Sequence, residues 1–166
     1  MTDGIAARRG RPMLIAVRMP DAPDFAKAIG LDIETWLERD FVDIVTGGGY
    51  FKLRPWSSLA QLGRKYDVPV YACFVSRRIM SGGEPEADSA LSRWRGEALN
   101  AWDQGVNGIY TFNRFNPHDP LFRELGDPKL LESLPLIDQE SYVGDSGYLD
   151  PGYWLKDGRS YIRQKV

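Results

Sequence analysis

Four short apolar runs, with helical patterns between them, constrain this chain more than any other feature. They are Leu14-Ile15-Ala16-Val17, Val42-Asp43-Ile44-Val45, Val70-Tyr71-Ala72-Cys73-Phe74-Val75 and Gly108-Ile109-Tyr110-Thr111-Phe112. Their starts lie 28, 28 and 38 residues apart, room each time for a loop, a helix and a return turn. This rhythm predicts an α/β protein of four consecutive βα units feeding a parallel sheet. The near-continuous apolarity of the runs also suits strands covered on both faces.

The intervening segments carry helix signals. Pro23 to Ile29 predicts a short helix interrupted by Gly30, after which Asp32 can cap a second one containing Ile33, Trp36 and Leu37. Ser58 with Gln61 matches a capping box opening a helix from Leu59 to Tyr66, which Asp67-Val68-Pro69 ends. From about Ser89 to Asp103, Leu91, Trp94, Ala98 and Trp102 form one stripe, with the arginines and Glu97 placed elsewhere and Gly105 as the stop. At that spacing the two tryptophans are expected in the core rather than as sugar platforms. Leu121 to Leu125 and Lys129 to Leu134 predict two short helical pieces. Beyond Pro135 the periodicity dissolves, so residues 1–137 are expected as the folded unit and residues 138–166 as an irregular C-terminal tail.

A chain of 166 residues is long enough for one core. Its 21 basic and 23 acidic residues leave a formal charge of −2, too little field to hold a polyanion, so no nucleic acid is expected. The one basic cluster, Arg8, Arg9 and Arg11, reads as the tail of a helix. No apolar stretch approaches a membrane span, and Met1 to Gly4 do not open a secretory signal, so the default expectation is no membrane and a cytoplasmic address. One cysteine, Cys73, excludes an internal disulfide, and with a single histidine no metal site is expected. Gly47-Gly48-Gly49 is followed by no Lys-Ser/Thr and lacks the dinucleotide spacing, so no cofactor is expected and a tight turn at a strand end is the simpler reading.

The motifs then acquire a resemblance. Leu14-Ile15-Ala16-Val17-Arg18-Met19-Pro20, Gly30-Leu31-Asp32-Ile33-Glu34-Thr35-Trp36, and Val42-Asp43-Ile44-Val45 running into Gly47-Gly48-Gly49-Tyr50 resemble the later strands of glycoside-hydrolase-like TIM barrels. Val68-Pro69-Val70-Tyr71 and Gly105-Val106-Asn107-Gly108-Ile109-Tyr110-Thr111-Phe112-Asn113 resemble strands seven and eight of that group. The resemblance covers about Arg11 to Leu131 and implies strands 5 to 8 of a (β/α)8 barrel. It also implies a missing catalytic pair. In the large TIM-barrel glycosidase clan the acid/base follows strand four, which has no counterpart here, and the nucleophile follows strand seven. Here strand seven ends Phe74-Val75-Ser76-Arg77 without a glutamate. A retaining enzyme needs two carboxyl groups about 5 Å apart. Glu84, Glu86 and Asp88 belong to a loop entering a helix, where acids also serve as dipole partners.

Barrel sites form at the C-terminal ends of strands. The candidate substrate-binding residues are therefore Arg18 and Asp21 after the first run, Tyr50 and Phe51 after the second, Arg77 after the third and Asn113 after the fourth. Ser76, Arg78, Arg114, Asn116 and His118 lie beside them. Aromatics with Arg, Asn and Asp suit a sugar, whose ring face stacks while its hydroxyls take directional polar partners. Each has a plainer alternative: Arg18 can pair with Asp21 or a neighbouring loop acid, His118 can make a loop hydrogen bond, and Asp43, near the start of its strand, can anchor a loop or helix.

Four strands do not close a barrel, and the first and last would both be edges. Three outcomes follow as expectations. The chain is a glycosidase fragment that needs a missing N-terminal half, with Ile5 to Arg9 reading as the end of a repeat's helix. Or it is a non-catalytic binding or structural module, for example a homodimer closing an eight-stranded ring. Or it is an open sheet capped by its tail.

Overall fold

The computed structural model describes residues 2–49, 53–79 and 87–137. Helix α1 (Thr2–Arg9) precedes strand β1 (Ala16–Met19), then α2 (Pro23–Ala28), α3 (Ile33–Glu38) and β2 (Ile44–Gly49). After these come α4 (Trp56–Tyr66), β3 (Val70–Phe74), α5 (Ser76–Ile79), α6 (Ala87–Asp103), β4 (Gly108–Thr111), α7 (Leu121–Glu124) and α8 (Pro128–Glu132). The four strands form one sheet in the order β1-β2-β3-β4, and every neighbouring pair is parallel. The chain is thus a mixed α/β protein with helices between parallel strands, as the spacing of the apolar runs predicts.

Register and burial show which side the helices cover. Successive strand residues point to opposite faces. Val17, Met19, Val45 and Val70 pack with Ile33, Leu37, Leu59 and Leu62 in one apolar cluster. Ala72, Phe74 and Ile109 pack with Trp56, Trp94, Ala98 and Ala101 in a second. Because Val45 pairs with Val70 and Ala72 with Ile109, these residues share one face, the one under the helices. The opposite face then carries Arg18, Thr46, Tyr71 and Gly108 along one registered row, and Cys73 and Tyr110 along the next.

Several local expectations shift, each for a tertiary reason. Strand β1 begins at Ala16 rather than Leu14, and Leu14 is 61% exposed; residues 13–15 approach the sheet with Ile15 held by the Asp43 side chain. The triple glycine is the end of β2, not a turn after it. Gly47 must lack a Cβ because one built there would stand 1.9 Å from Leu59 Cδ1, and Gly48 has φ +99° beside the Trp56 ring. Helix α4 starts at Trp56, three residues before the start at Leu59 that the capping box predicts. Its first-turn donor Ser57 N–H is satisfied from outside, by Oε1 of Gln104, just after α6, at 3.0 Å, so the local box is not needed. In α6, Trp94 is buried and Trp102 donates its indole N–H to Leu125 O, placing both tryptophans in the core side of the stripe. Glu97, expected off that stripe, lies on it and is 1% exposed. It sits three residues after Trp94 and four before Ala101, on the same side of the helix.

The predicted tail, residues 138–166, lies outside the described residues.

Candidate ligand-binding rim

The C-terminal ends of parallel strands are where open and closed α/β sheets place their ligands. In this sheet the described residues at and after those ends are 18–24, 46–49, 53–57, 74–79 and 111–119.

Arg18 lies in the uncovered face, and its guanidinium carbon stands 4.0 Å from the centre of the Phe112 ring. Phe112 directly follows β4 and continues the ladder, donating its N–H to Phe74 O at 2.9 Å. β1 and β4 are separated by two strands, so in a flat sheet they would be about 14 Å apart, three spacings of about 4.8 Å. The two side chains nevertheless meet across the sheet. The expected ion pair between Arg18 and Asp21 does not form, for Asp21 is turned elsewhere. It is fully buried, and its Oδ1 accepts the Leu53 N–H at 3.0 Å, so the carboxylate ties the end of β1 to the segment after β2.

That segment is held from both flanks. Arg54 pairs with Asp24 at 3.0 Å on the β1 side. On the β3 side, Trp56 donates its indole N–H to Glu97 Oε1 at 3.1 Å, and Ser57 N–H bonds Gln104. Four side chains from neighbouring units thus fix residues 53–57. Tyr50 and Phe51, the candidates immediately before it, lie outside the described residues.

After β3 the backbone turns directly into α5, which contains Arg77; the side chains of Arg77 and Arg78 lie outside the described residues, as do Glu84, Glu86 and the Asp88 side chain. After β4, Asn113 is exposed and adopts φ +57°, a left-handed conformation that asparagine tolerates better than most residues. Arg114 instead turns inward: it bonds Asp119 through Nε at 3.0 Å and through Nη2, and it covers the Trp94 ring at 4.8 Å. Asn116 Oδ1 accepts the His118 N–H in a local turn, and Asp119 Oδ1 accepts Leu121 N–H, opening α7. Asp43 anchors the entry to β1, accepting Ile15 N–H at 2.7 Å.

The rim therefore brings Arg18 and Phe112 together, with Asn113 next in the chain, while Asp21, Arg114 and Asp119 serve the scaffold. Sequence reasoning missed Phe112 as the partner of Arg18, the burial of Glu97, and two exposed aromatics: Tyr110, 42% exposed, and Phe115, 86% exposed. Strand alternation could have placed Tyr110 opposite the core-facing Ile109. The Arg95–Glu124 ion pair, two hydrogen bonds of 2.9 and 3.0 Å with both side chains largely buried, was also not foreseen; it fastens α6 to α7.

Among the described residues, no group of three His, Cys, Asp or Glu side chains is placed to hold a metal ion, and no helix is long and apolar enough to cross a membrane. A groove of about 280 Å³ lined by Gly63, Arg64, Asp67, Val68, Pro69 and Asn107 lies at the opposite end of the sheet, where β3 and β4 begin. Asn107 Oδ1 is engaged there by Val70 N–H, which gives it a structural role. Compared with known proteins, the chain matches no family model and no curated protein.

Proposed function

We propose that this chain is a glycoside-hydrolase-like half barrel, its four βα units taking the places of strands 5 to 8. It contributes carbohydrate-binding residues at the strand ends without a complete catalytic carboxylate pair. The observation that carries the reading is the meeting of Arg18 and Phe112 across the sheet. Eight parallel strands close only by curving, and a contact between side chains of the two outer strands is what such curvature would favour. The acids near the rim support the non-catalytic part. Asp21 is buried on a backbone N–H and Glu97 on the Trp56 indole, so each has a scaffold task in place of proton transfer.

The test is titration of the full chain with a panel of neutral and acidic oligosaccharides, followed by calorimetry and by release of reducing ends. Saturable binding at or below millimolar ligand is expected, with Asn113→Ala weakening it and no hydrolysis. Absence of saturable binding removes the carbohydrate assignment. Hydrolysis by the isolated chain removes the claim that the catalytic pair is incomplete.

A second reading is favoured by the sheet's edges. Among the described residues neither β1 nor β4 has a second partner strand, and such edges are ordinarily paired or covered. A homodimer in which β4 of each copy pairs with β1 of the other would close an eight-stranded ring. Mass in solution decides it: a strict monomer eliminates the ring.

A further inference from the structure

Arg18 is the one charged residue in the four strands. The ordinary reason for an arginine in a sheet is a neighbouring carboxylate, and among the described residues the carboxylates of the strand ends are committed elsewhere. Asp21 accepts Leu53 N–H, Asp43 accepts Ile15 N–H, Asp119 holds Arg114 and Glu124 holds Arg95. Among the described residues Arg18 has no ion pair; its guanidinium lies over Phe112, and the residue is exposed.

Stacking occupies the flat face of a guanidinium and leaves its in-plane N–H groups pointing outward, in a fork that matches a carboxylate bidentately. Phe112 thus fixes the orientation of a cation without neutralising it. The registered neighbours of Arg18 differ in what they offer a sugar: Thr46 beside it is buried, whereas in the next row the ring of Tyr110 is exposed and free to stack on a sugar face.

We infer that Arg18, held by Phe112, is a specificity-determining residue for acidic saccharides, binding the carboxylate of a uronic-acid unit. The inference rests on the carbohydrate reading of the rim and narrows it to one substrate class.

The experiment titrates the full chain with trigalacturonate, with a neutral trisaccharide and with acetate. Trigalacturonate is expected to bind at least about tenfold more tightly than the neutral sugar, with the preference falling as salt rises. Arg18→Gln abolishes the preference while leaving the thermal melt in place, and Arg18→Lys retains part of it, because an ammonium keeps the charge without the fork. Phe112→Leu keeps the cation but frees its orientation, and is expected to reduce the preference; it also serves should Arg18→Gln fail to fold. If the neutral sugar binds equally well, or the preference survives in Arg18→Gln or in Phe112→Leu, the inference is overturned while the carbohydrate reading stands. Acetate competing as effectively as the sugar acid, mole for mole, overturns it in favour of a simple carboxylate site. If no saccharide binds, both fall together.

Discussion

The two faces of the sheet are built from alternate residues of the same four strands, yet they follow different rules. Under the helices, Val45, Val70, Ala72 and Phe74 are essentially inaccessible and interlock with Leu59, Trp56 and Trp94. Phe74 alone touches two tryptophan rings, with centroids 5.8 and 6.1 Å away. On the other face stand an arginine, a threonine, a cysteine, two tyrosines and a glycine, of which Thr46 and Cys73 are buried while Arg18 and Tyr110, on the two outer strands, are exposed. One side of each strand is filled throughout, and the other is closed at the middle strands and open at the outer ones.

The comparison is most directly broken by truncating one aromatic on each face. Phe74→Ala should cost about 3–5 kcal/mol in urea unfolding, as large core truncations do. Tyr110→Ala should change stability by no more than about 0.5 kcal/mol, the range of ordinary surface substitutions. Equal losses would mean that the second face is buried in solution. Asp21→Ala is next in size: it strands the buried Leu53 N–H, with an expected loss of about 1–3 kcal/mol, and Asp21→Asn should recover part of it.

Glycines sharpen the same contrast. An alanine in a helix normally gains about 1 kcal/mol over glycine. Gly4 in α1 has open space around it, so Gly4→Ala should stabilise by up to that amount. Gly63 in α4 faces the sheet, where a Cβ would stand 2.5 Å from both Val68 O and Val70 Cγ2. Gly63→Ala should therefore destabilise by about 1–3 kcal/mol, a reversal of sign visible in paired unfolding curves.

The smallest effect concerns pH. Desolvation pushes the Asp32 carboxyl upward, but the Thr35 hydroxyl, the Lys27 ammonium and the Thr35 backbone together outweigh it and hold Asp32 below its ordinary value of 3.8. A carboxyl lowered on folding adds stability above its unfolded pKa and loses it as pH falls through the folded one. The Asp32→Asn variant should thus match the parent chain more closely below about pH 4 than at pH 7, and a titration followed by NMR should find Asp32 below free aspartate.

What the sequence discloses follows the range of the forces involved. Strand order and parallel pairing are legible because apolar runs and their separations are local and repeated. The buried stripe of α6 is legible for the same reason, with Glu97 the exception: its burial depends on an indole N–H 41 residues away. Likewise the Ser58/Gln61 pattern is a genuine local signal, but the helix begins earlier because Gln104 arrives from another unit to satisfy its first turn. The glycines of β2 look like a turn until Leu59 and Trp56 are placed against them. At the candidate rim, Arg18 lies in its strand as the apolar run predicts, but of the alternatives for it the pair with Asp21, three residues away, does not form, because Asp21 is held by Leu53 N–H while the Phe112 ring lies against the guanidinium.

The stretch from Leu53 to Ser57 has a consequence for how such a chain can be rebuilt. Its contacts come from Asp21 and Asp24 before it and from Glu97 and Gln104 after it. The second βα segment is therefore no free-standing cassette: shuffled alone into another scaffold, it would leave behind every group that completes it. Recombination that preserves the fold would have to carry three successive segments as a block, with crossovers placed outside them.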